Sequence, residues 1–503
     1  MSDIARNTLE KRSPIWKEKS KMFFSRILIY FSFILIPIWM QKTLQLSMGF
    51  QIVTMSLYVF FLIGQWFLLG KEVDHAFRIY FKVQSSVDRI IYRLYMGMLL
   101  LILYFNFVSY LPDKWIYNTF WVTWAVMGLF YSWPTRGKII QESVSSNFFE
   151  FRYLDSFEKT LFALIVLFFI SSFPRPSTLE SVASLRLLID PTEVVSEQFW
   201  RFLTVSYFPF KRYPDLMKLA ISTHLYLVGG GILLITLYAI MRYFVSRRLS
   251  LLGVFLLIST WSFPKILVTS PGAAILTTYF FTLGWTILWI TKSSTYRTGL
   301  FLGLISYWGA LLGWYYYLAS IVQMLFLFFI FMGRQGRWYR VQVARYAMFG
   351  IVLGLITFLV NYSSEELVGI WGGAIFDELV QLFERKAFFS LAFVGVLIVP
   401  FLLLRPENPH VRLFKLNHTT FYQLASVIVV MILLGLMVSD LALRGFALLL
   451  PIILFSLIPL EFIFQSIAPL RSTRNMIYLV YILIALLDSH LEGRIKILIS
   501  LWE

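Results

Sequence analysis

The sequence predicts an all-α fold, a polytopic integral membrane protein with about 14–15 transmembrane helices and two outer loops carrying amphipathic helices. Three observations lead there. Hydrophobic residues make up 59% of the chain and charged residues 14%, and mean hydropathy is +0.74, outside the range of a soluble domain. Apolar runs long enough to cross a bilayer recur along the 503 residues and leave little room for a soluble domain. Lys and Arg gather in the short loops that alternate spans place on one side, the pattern of cytoplasmic loops.

The basic N-terminus (Arg6, Lys11, Arg12, Lys17, Lys19, Lys21) is expected in the cytoplasm. The apolar run that follows, Met22 to Met40, has no small-residue cleavage site after it and reads as an anchor, not a signal peptide. Spans are predicted at 22–41, 49–69, 93–111 and 115–132. The stretch KEVDHAFRIYFKVQSSVDRIIYR between the second and third is basic and amphipathic, and is predicted to lie along the cytoplasmic face. A basic connector, 131–159, follows the fourth span, and a short fifth span, 160–173, crosses outward.

That crossing delivers residues 174–218 to the outer face as the first outer loop. Further spans are predicted at 219–241, 249–269, 272–291, 298–314, 315–332, 345–361, 387–404, 420–438, 445–464 and 475–488. The connection at Gly313-Trp314 reads as either a tight turn or a re-entrant segment. In the second outer loop, 361–386, Ile375, Leu379, Leu382 and Phe383 share one helical face, as in an interfacial helix. With this topology roughly 30 of the 44 Lys and Arg fall inside. The chain divides near residue 159 into a four-span region with its connector (1–159) and a larger bundle (160–503).

There is no cysteine, which excludes disulfides, thiolate metal sites and cysteine nucleophiles. The net charge of +17 is accounted for by loop cations meeting anionic headgroups, so membrane lipids are the expected partner and nucleic acid is not. The five histidines are scattered without metal-ligand spacing, and His224 fits an interhelical hydrogen-bonder. Thr135-Arg136-Gly137-Lys138 lacks the earlier glycine of a phosphate loop. Gly229-Gly230-Gly231 within a span suits close helix packing. Ionisable residues in mid-span are few, Glu461 with Asp440 and Arg444 at a span end, which weighs against an ion-coupled transporter.

The first outer loop concentrates the chemistry. Asp190-Pro191-Thr192-Glu193 puts two carboxylates on one face at a helix start, where they could take a proton from a hydroxyl or hold a divalent cation. The same four residues also read as a helix cap, with Pro191 in the first turn. Arg201, Lys211 and Arg212 could bind a phosphate, or simply meet headgroups. Lys265 is a further cation near the outer helix ends.

From Pro174 to about Phe331 the chain resembles the membrane glycosyltransferases of the GT-C class, which include lipid-linked aminoarabinose transferases and protein O-mannosyltransferases. The likeness rests on an outward span, the loop with Asp190 and Glu193, a returning span that ends at Arg247-Arg248, and the segments LSLLGVFLLISTWSFPKILVTSPGAAILTTYFFTLGWTILWITK and GLFLGLISYWGALLGWYYYLA. LRGFALLLPIILFSLIPLEFIF is similar to a late segment of the class. The chain departs from the class in stretching the acidic pair to D-P-T-E, in placing Ser270-Pro271-Gly272 where an acidic residue often stands, and in its four extra N-terminal spans. The resemblance implies transfer of a sugar from a polyprenyl-phosphate donor to an acceptor on the outer face of the cell membrane. Asp190 or Glu193 would be base or metal ligand, and Arg201, Lys211, Arg212 and Lys265 would hold the donor. A lipid or polymer transporter, or a membrane scaffold acting through the connector, are the alternatives the residues leave open.

Overall fold

The structure is a computed structural model that describes residues 21–40, 48–76, 86–133, 154–173, 202–203, 205–260, 263, 271–289, 295–330, 334–361, 452–461, 463–464, 470–487, 489, 491 and 495. The regular elements among them are all helices. They are α1 (Lys21–Met40), α2 (Met48–Ala76), α3 (Ser86–Val108), α4 (Asp113–Ser132) and α5 (Ser156–Ile170). A short 3₁₀ turn (Phe208–Phe210) precedes a rod made of α6 (Pro214–His224), a π-helical stretch (Leu225–Ile232) and α7 (Leu233–Met241). Then come α8 (Arg247–Ser259), α9 (Pro271–Trp289), α10 (Thr295–Leu312), α11 (Trp314–Ile330), α12 (Arg334–Asn361), α13 (Ile452–Glu461) and α14 (Arg471–Leu487).

Among the described residues five stretches are each long and apolar enough to cross a membrane: Lys21–Met40, Phe50–Asp74, Val87–Val108, Asp215–Met241 and Arg340–Thr357. Burial sorts them. The rod is 83% buried over its most apolar stretch, whereas α1 is 17% buried. The rod therefore stands at the centre, packed on α9 and α8, with α2 against α6 and α3 against α2. Helix α8 is apolar all round and buried from Leu249 to Ser259, as a helix enclosed on every side must be. Peripheral helices turn large apolar side chains outward instead of charges. Examples are Phe24 and Leu28 on α1, Trp115 on α4, Phe349 and Leu359 on α12, and Met476 on α14. Exposed apolar stripes of this extent suit hydrocarbon, not water.

Close packing follows from small residues where backbones meet. Helices α10 and α12 form the most extensive pair, and a Cβ on Gly350 would collide with the backbone of Gly303. The α10–α11 connection is the tight turn: Gly313 alone joins Leu312 to Trp314, at φ +142°, a conformation that glycine adopts without a Cβ clash. One hydrophobic cluster runs across the division near residue 159. Tyr95 on α3 hydrogen-bonds Thr236 on α7 at 2.7 Å, and Asn106 on α3 donates to Tyr307 on α10 at 2.6 Å.

The surface placement of KEVDHAFRIYFKVQSSVDRIIYR is not what its described residues show. Lys71 to Ala76 extend α2 and Ser86 to Arg93 open α3, with Asp74 and Asp88 turned into the protein. The reason is electrostatic, since both carboxylates meet partners there. The second outer loop beyond Asn361 and the spans at 387–404 and 420–438 lie outside the described residues, as do Asp440 and Arg444.

Candidate functional site

Polar side chains collect at the two ends of the rod. At the Lys211 end, the chain after Arg201 folds back into the bundle. Phe202, Leu203, Val205, Ser206, Tyr207 and Phe210 are all buried, although they close a loop that composition marks as polar. The cause is a set of aromatic contacts and two hydrogen bonds. Tyr58 of α2 donates to the Ser206 carbonyl at 2.9 Å, and its ring meets Tyr207 and Phe210 at 5.6 and 5.5 Å. The Tyr207 hydroxyl lies 2.7 Å from His224 Nδ1 at the end of α6. Burial, then the neighbouring Tyr58, pushes the Tyr207 phenol well above its ordinary pKa, so it stays protonated.

His224 also borders a small cavity with Trp66, Phe202, Gly229, Thr278 and Trp308. Its volume of about 20 Å³ is room for a water or a single hydroxyl. The π-helical turn carries Gly229 into this wall, where its carbonyl accepts from Thr278 at 3.1 Å. Such turns offset the backbone ladder and free carbonyls for outside partners. One turn earlier, Tyr226 stacks on Phe169 at 4.5 Å and hydrogen-bonds the Phe169 carbonyl. Gly229-Gly230-Gly231 thus does more than allow close packing.

Of the predicted site residues, the structure describes Lys211 and Arg212. Lys211 Nζ is held by both oxygens of Asp113 on α4, at 2.7 and 2.8 Å, with Phe208 5.5 Å from the charge. Both side chains are exposed, so the pair contributes little to stability. A phosphate reaching Lys211 would compete with that carboxylate. Arg212 is exposed beside it. Asp190, Glu193, Arg201 and Lys265 lie outside the described residues, and so does any metal they would bind. Among the described residues no three of His, Asp and Glu gather as a metal site would need.

At the opposite, Ser246 end lies a charged cluster that the sequence reading missed. Asp74 of α2 bridges two arginines, Arg93 Nε at 2.9 Å and Arg297 at 2.8 Å. Arg297 is only 2% exposed, with its guanidinium 4.3 Å from the Tyr92 ring centre and 5.8 Å from that of Trp289. Trp289 in turn stacks on Trp285 at 5.3 Å. Asp88 accepts from Trp285 Nε1 and from Tyr243, each at 3.0 Å. Burial, then the Asp88 charge, holds the Tyr243 phenol well above its ordinary pKa. Nearby, Asp155 and Glu158 form a reciprocal capping box at the start of α5. Arg247 grips Glu158 with two bonds of 2.8 Å, Arg248 pairs with Asp155, and Glu461 accepts from the Ser246 amide at 2.8 Å.

These ties join α2, α3, α9 and α10 in one group, and α5, α8 and α13 in another. The only early signal was that the cations of the segment from Lys71 to Arg93, and Arg297 itself, sit one or two turns from apolar runs. No family model, no curated protein and no solved structure matches this chain.

Proposed function

We propose that the chain is a GT-C-like membrane glycosyltransferase with about 14–15 spans, its N-terminus in the cytoplasm and its Lys211 end on the outer face of the cell membrane. The observation that carries this reading is the anchored arm, Phe202 to Phe210. It is pinned by Tyr58 and His224 into the helix mouth directly after the stretch that bears Asp190, Glu193 and Arg201. A catalytic loop needs such a rigid support to hold its groups in reacting geometry. The resemblance supplies the chemistry. An acceptor hydroxyl attacks the sugar's anomeric carbon, Asp190 or Glu193 takes its proton, and the carbon–oxygen bond to the polyprenyl phosphate breaks. Arg201, Arg212 and Lys265 then meet the departing phosphate's charge. Lys211, held by Asp113, serves chiefly to clip the arm to α4.

The test is transfer from a radiolabelled polyprenyl-phosphate sugar in membranes bearing Asp190→Asn with Glu193→Gln. Loss of a general base lowers transfer by roughly 100-fold or more, with the protein still present in the membrane. Unchanged transfer in that variant removes the assignment.

A second reading, a lipid or polymer transporter, draws support from the buried Arg297 and the partly buried Asp74 and Arg93, because charges buried in membrane proteins often mark pathways. It requires Asp74→Asn to stop transport in a protein that still assembles.

A further inference from the structure

A groove opens on the flank of the bundle between α3, α5, α7 and α8. Its volume is about 260 Å³, and its walls include Ile90, Phe162, Phe169, Leu234, Tyr238 and Leu251. From Gly231 in its upper wall to Arg242 below its mouth, the rod descends roughly 16 Å. That is about half of a hydrocarbon core of ~30 Å. The groove therefore has the depth of one leaflet, on the Ser246 side. An apolar wall alone selects nothing within a bilayer, because every lipid tail there is equally oily. Selection has to come from the mouth.

The mouth is basic. Arg242, four residues beyond Tyr238, continues the groove-facing side of α7, and Lys159 sits three residues before Phe162 on α5. Both are exposed, and among the described residues neither side chain has an ion-pair or hydrogen-bond partner. Their neighbours are already matched: Arg247 with Glu158, and Arg248 with Asp155. Of the other nearby carboxylates, Asp88 faces inward to Trp285 and Tyr243, and Glu461 takes the Ser246 amide. Cations outnumber carboxylates at the mouth, and the excess falls on Lys159 and Arg242, with exposed Arg89 beside Ile90 on α3.

We propose that the groove holds an acyl chain of an anionic glycerophospholipid, with its phosphate between Lys159 and Arg242. The site is at the opposite end of the rod from the anchored arm and does not depend on the glycosyltransferase reading. The test uses the full chain in nanodiscs with trace phosphatidylglycerol or phosphatidylcholine carrying a diazirine in the acyl chain. After irradiation, adducts on peptides covering 162–169 and 231–238 are quantified by mass spectrometry. One cation near an anionic headgroup is worth roughly a fivefold preference, so phosphatidylglycerol adducts should exceed phosphatidylcholine adducts by on the order of 25-fold. Lys159→Gln with Arg242→Gln should bring that ratio close to one with adducts still forming. Ile235→Trp, which fills the groove, should reduce adducts from both lipids. Equal labelling by the two lipids in the unaltered protein overturns the proposal. So does an unchanged ratio in the Gln pair, or no adduct on these segments.

Discussion

Replacing Asp74 by Asn leaves the Arg297 guanidinium without its carboxylate in a site where Arg297 is 2% exposed. Asp74 pairs with two arginines, Arg297 at 2.8 Å and Arg93 at 2.9 Å. Removing one partner of a buried ion pair costs roughly 3–5 kcal/mol, mostly as the penalty for the charge left behind. Arg93, with a side chain 19% exposed, can turn toward water or headgroups, so most of the loss falls on Arg297. For a chain of this size the loss corresponds to a fall in apparent Tm on the order of 3–5 °C. The assay is thermal denaturation of the detergent-solubilised protein, followed by monodispersity on size exclusion. Arg297→Met should be damaging alone yet add little to Asp74→Asn, giving a coupling of about 2 kcal/mol. The coupling should also survive high salt, because buried charges are poorly screened. A Tm within about 1 °C of the parent for Asp74→Asn, or strictly additive effects, would refute the idea that this cluster ties α2, α3 and α10 together.

Three further outcomes are expected. Tyr207→Phe leaves His224 Nδ1 buried without its hydrogen-bond partner and should cost about 1–3 kcal/mol, read as earlier thermal unfolding and faster protease cutting in the arm. Gly303→Leu forces apart the α10 and α12 backbones, and should lower Tm and yield by more than Leu302→Ile on the same helix, compared by fluorescence-detected size exclusion. The third concerns pH. Burial opposes ionisation of Asp155, but the Glu158 amide and then Arg248 outweigh it and hold the carboxyl below its ordinary pKa. A depressed carboxyl adds stability above its ordinary pKa, and that stability is lost as pH falls through the lowered value. Asp155→Asn keeps the cap but drops the charge, so Tm measured from neutral pH downward should lose part of its acid sensitivity.

Much of the helical plan was legible because apolar windows mark hydrocarbon-length segments. The expected 115–132 is Asp113–Ser132, and 272–291 is Pro271–Trp289. Helix starts were read late where the first turn is charged. Helix α5 begins at Ser156 behind its Asp155 cap, not at 160, and α12 begins at Arg334, not at 345. Hydropathy averages penalise those turns although the backbone ladder runs through them. In the other direction, α8 stops at Ser259, well before the expected end at 269, with Thr260 extended.

The charged cluster was hidden for a different reason. Asp74 finds one partner 19 residues away and another on α10, and no local window registers such a pairing. The arm was misjudged by composition, because Tyr207 and Phe210 are buried through Tyr58 and His224, which come from other helices. A hydrogen bond at His224 was readable from its place at a span mouth, but its partner, Tyr207, lies on the arm and not on a second span.

The central claim is that the Lys211 and Ser246 ends of the rod face opposite sides of a membrane. The absence of native cysteine makes this directly measurable. Arg212→Cys and Ser156→Cys place single thiols at exposed positions, one at each end. Ser206 would be a poor probe, being buried beneath Tyr58. Intact cells are treated with a membrane-impermeant maleimide. The account predicts labelling at position 212 without permeabilisation and at 156 only after it. Labelling at 156 alone would invert the topology, put the arm in the cytoplasm and end the outer-face transferase reading. Equal labelling of both in intact cells would contradict the spanning rod itself.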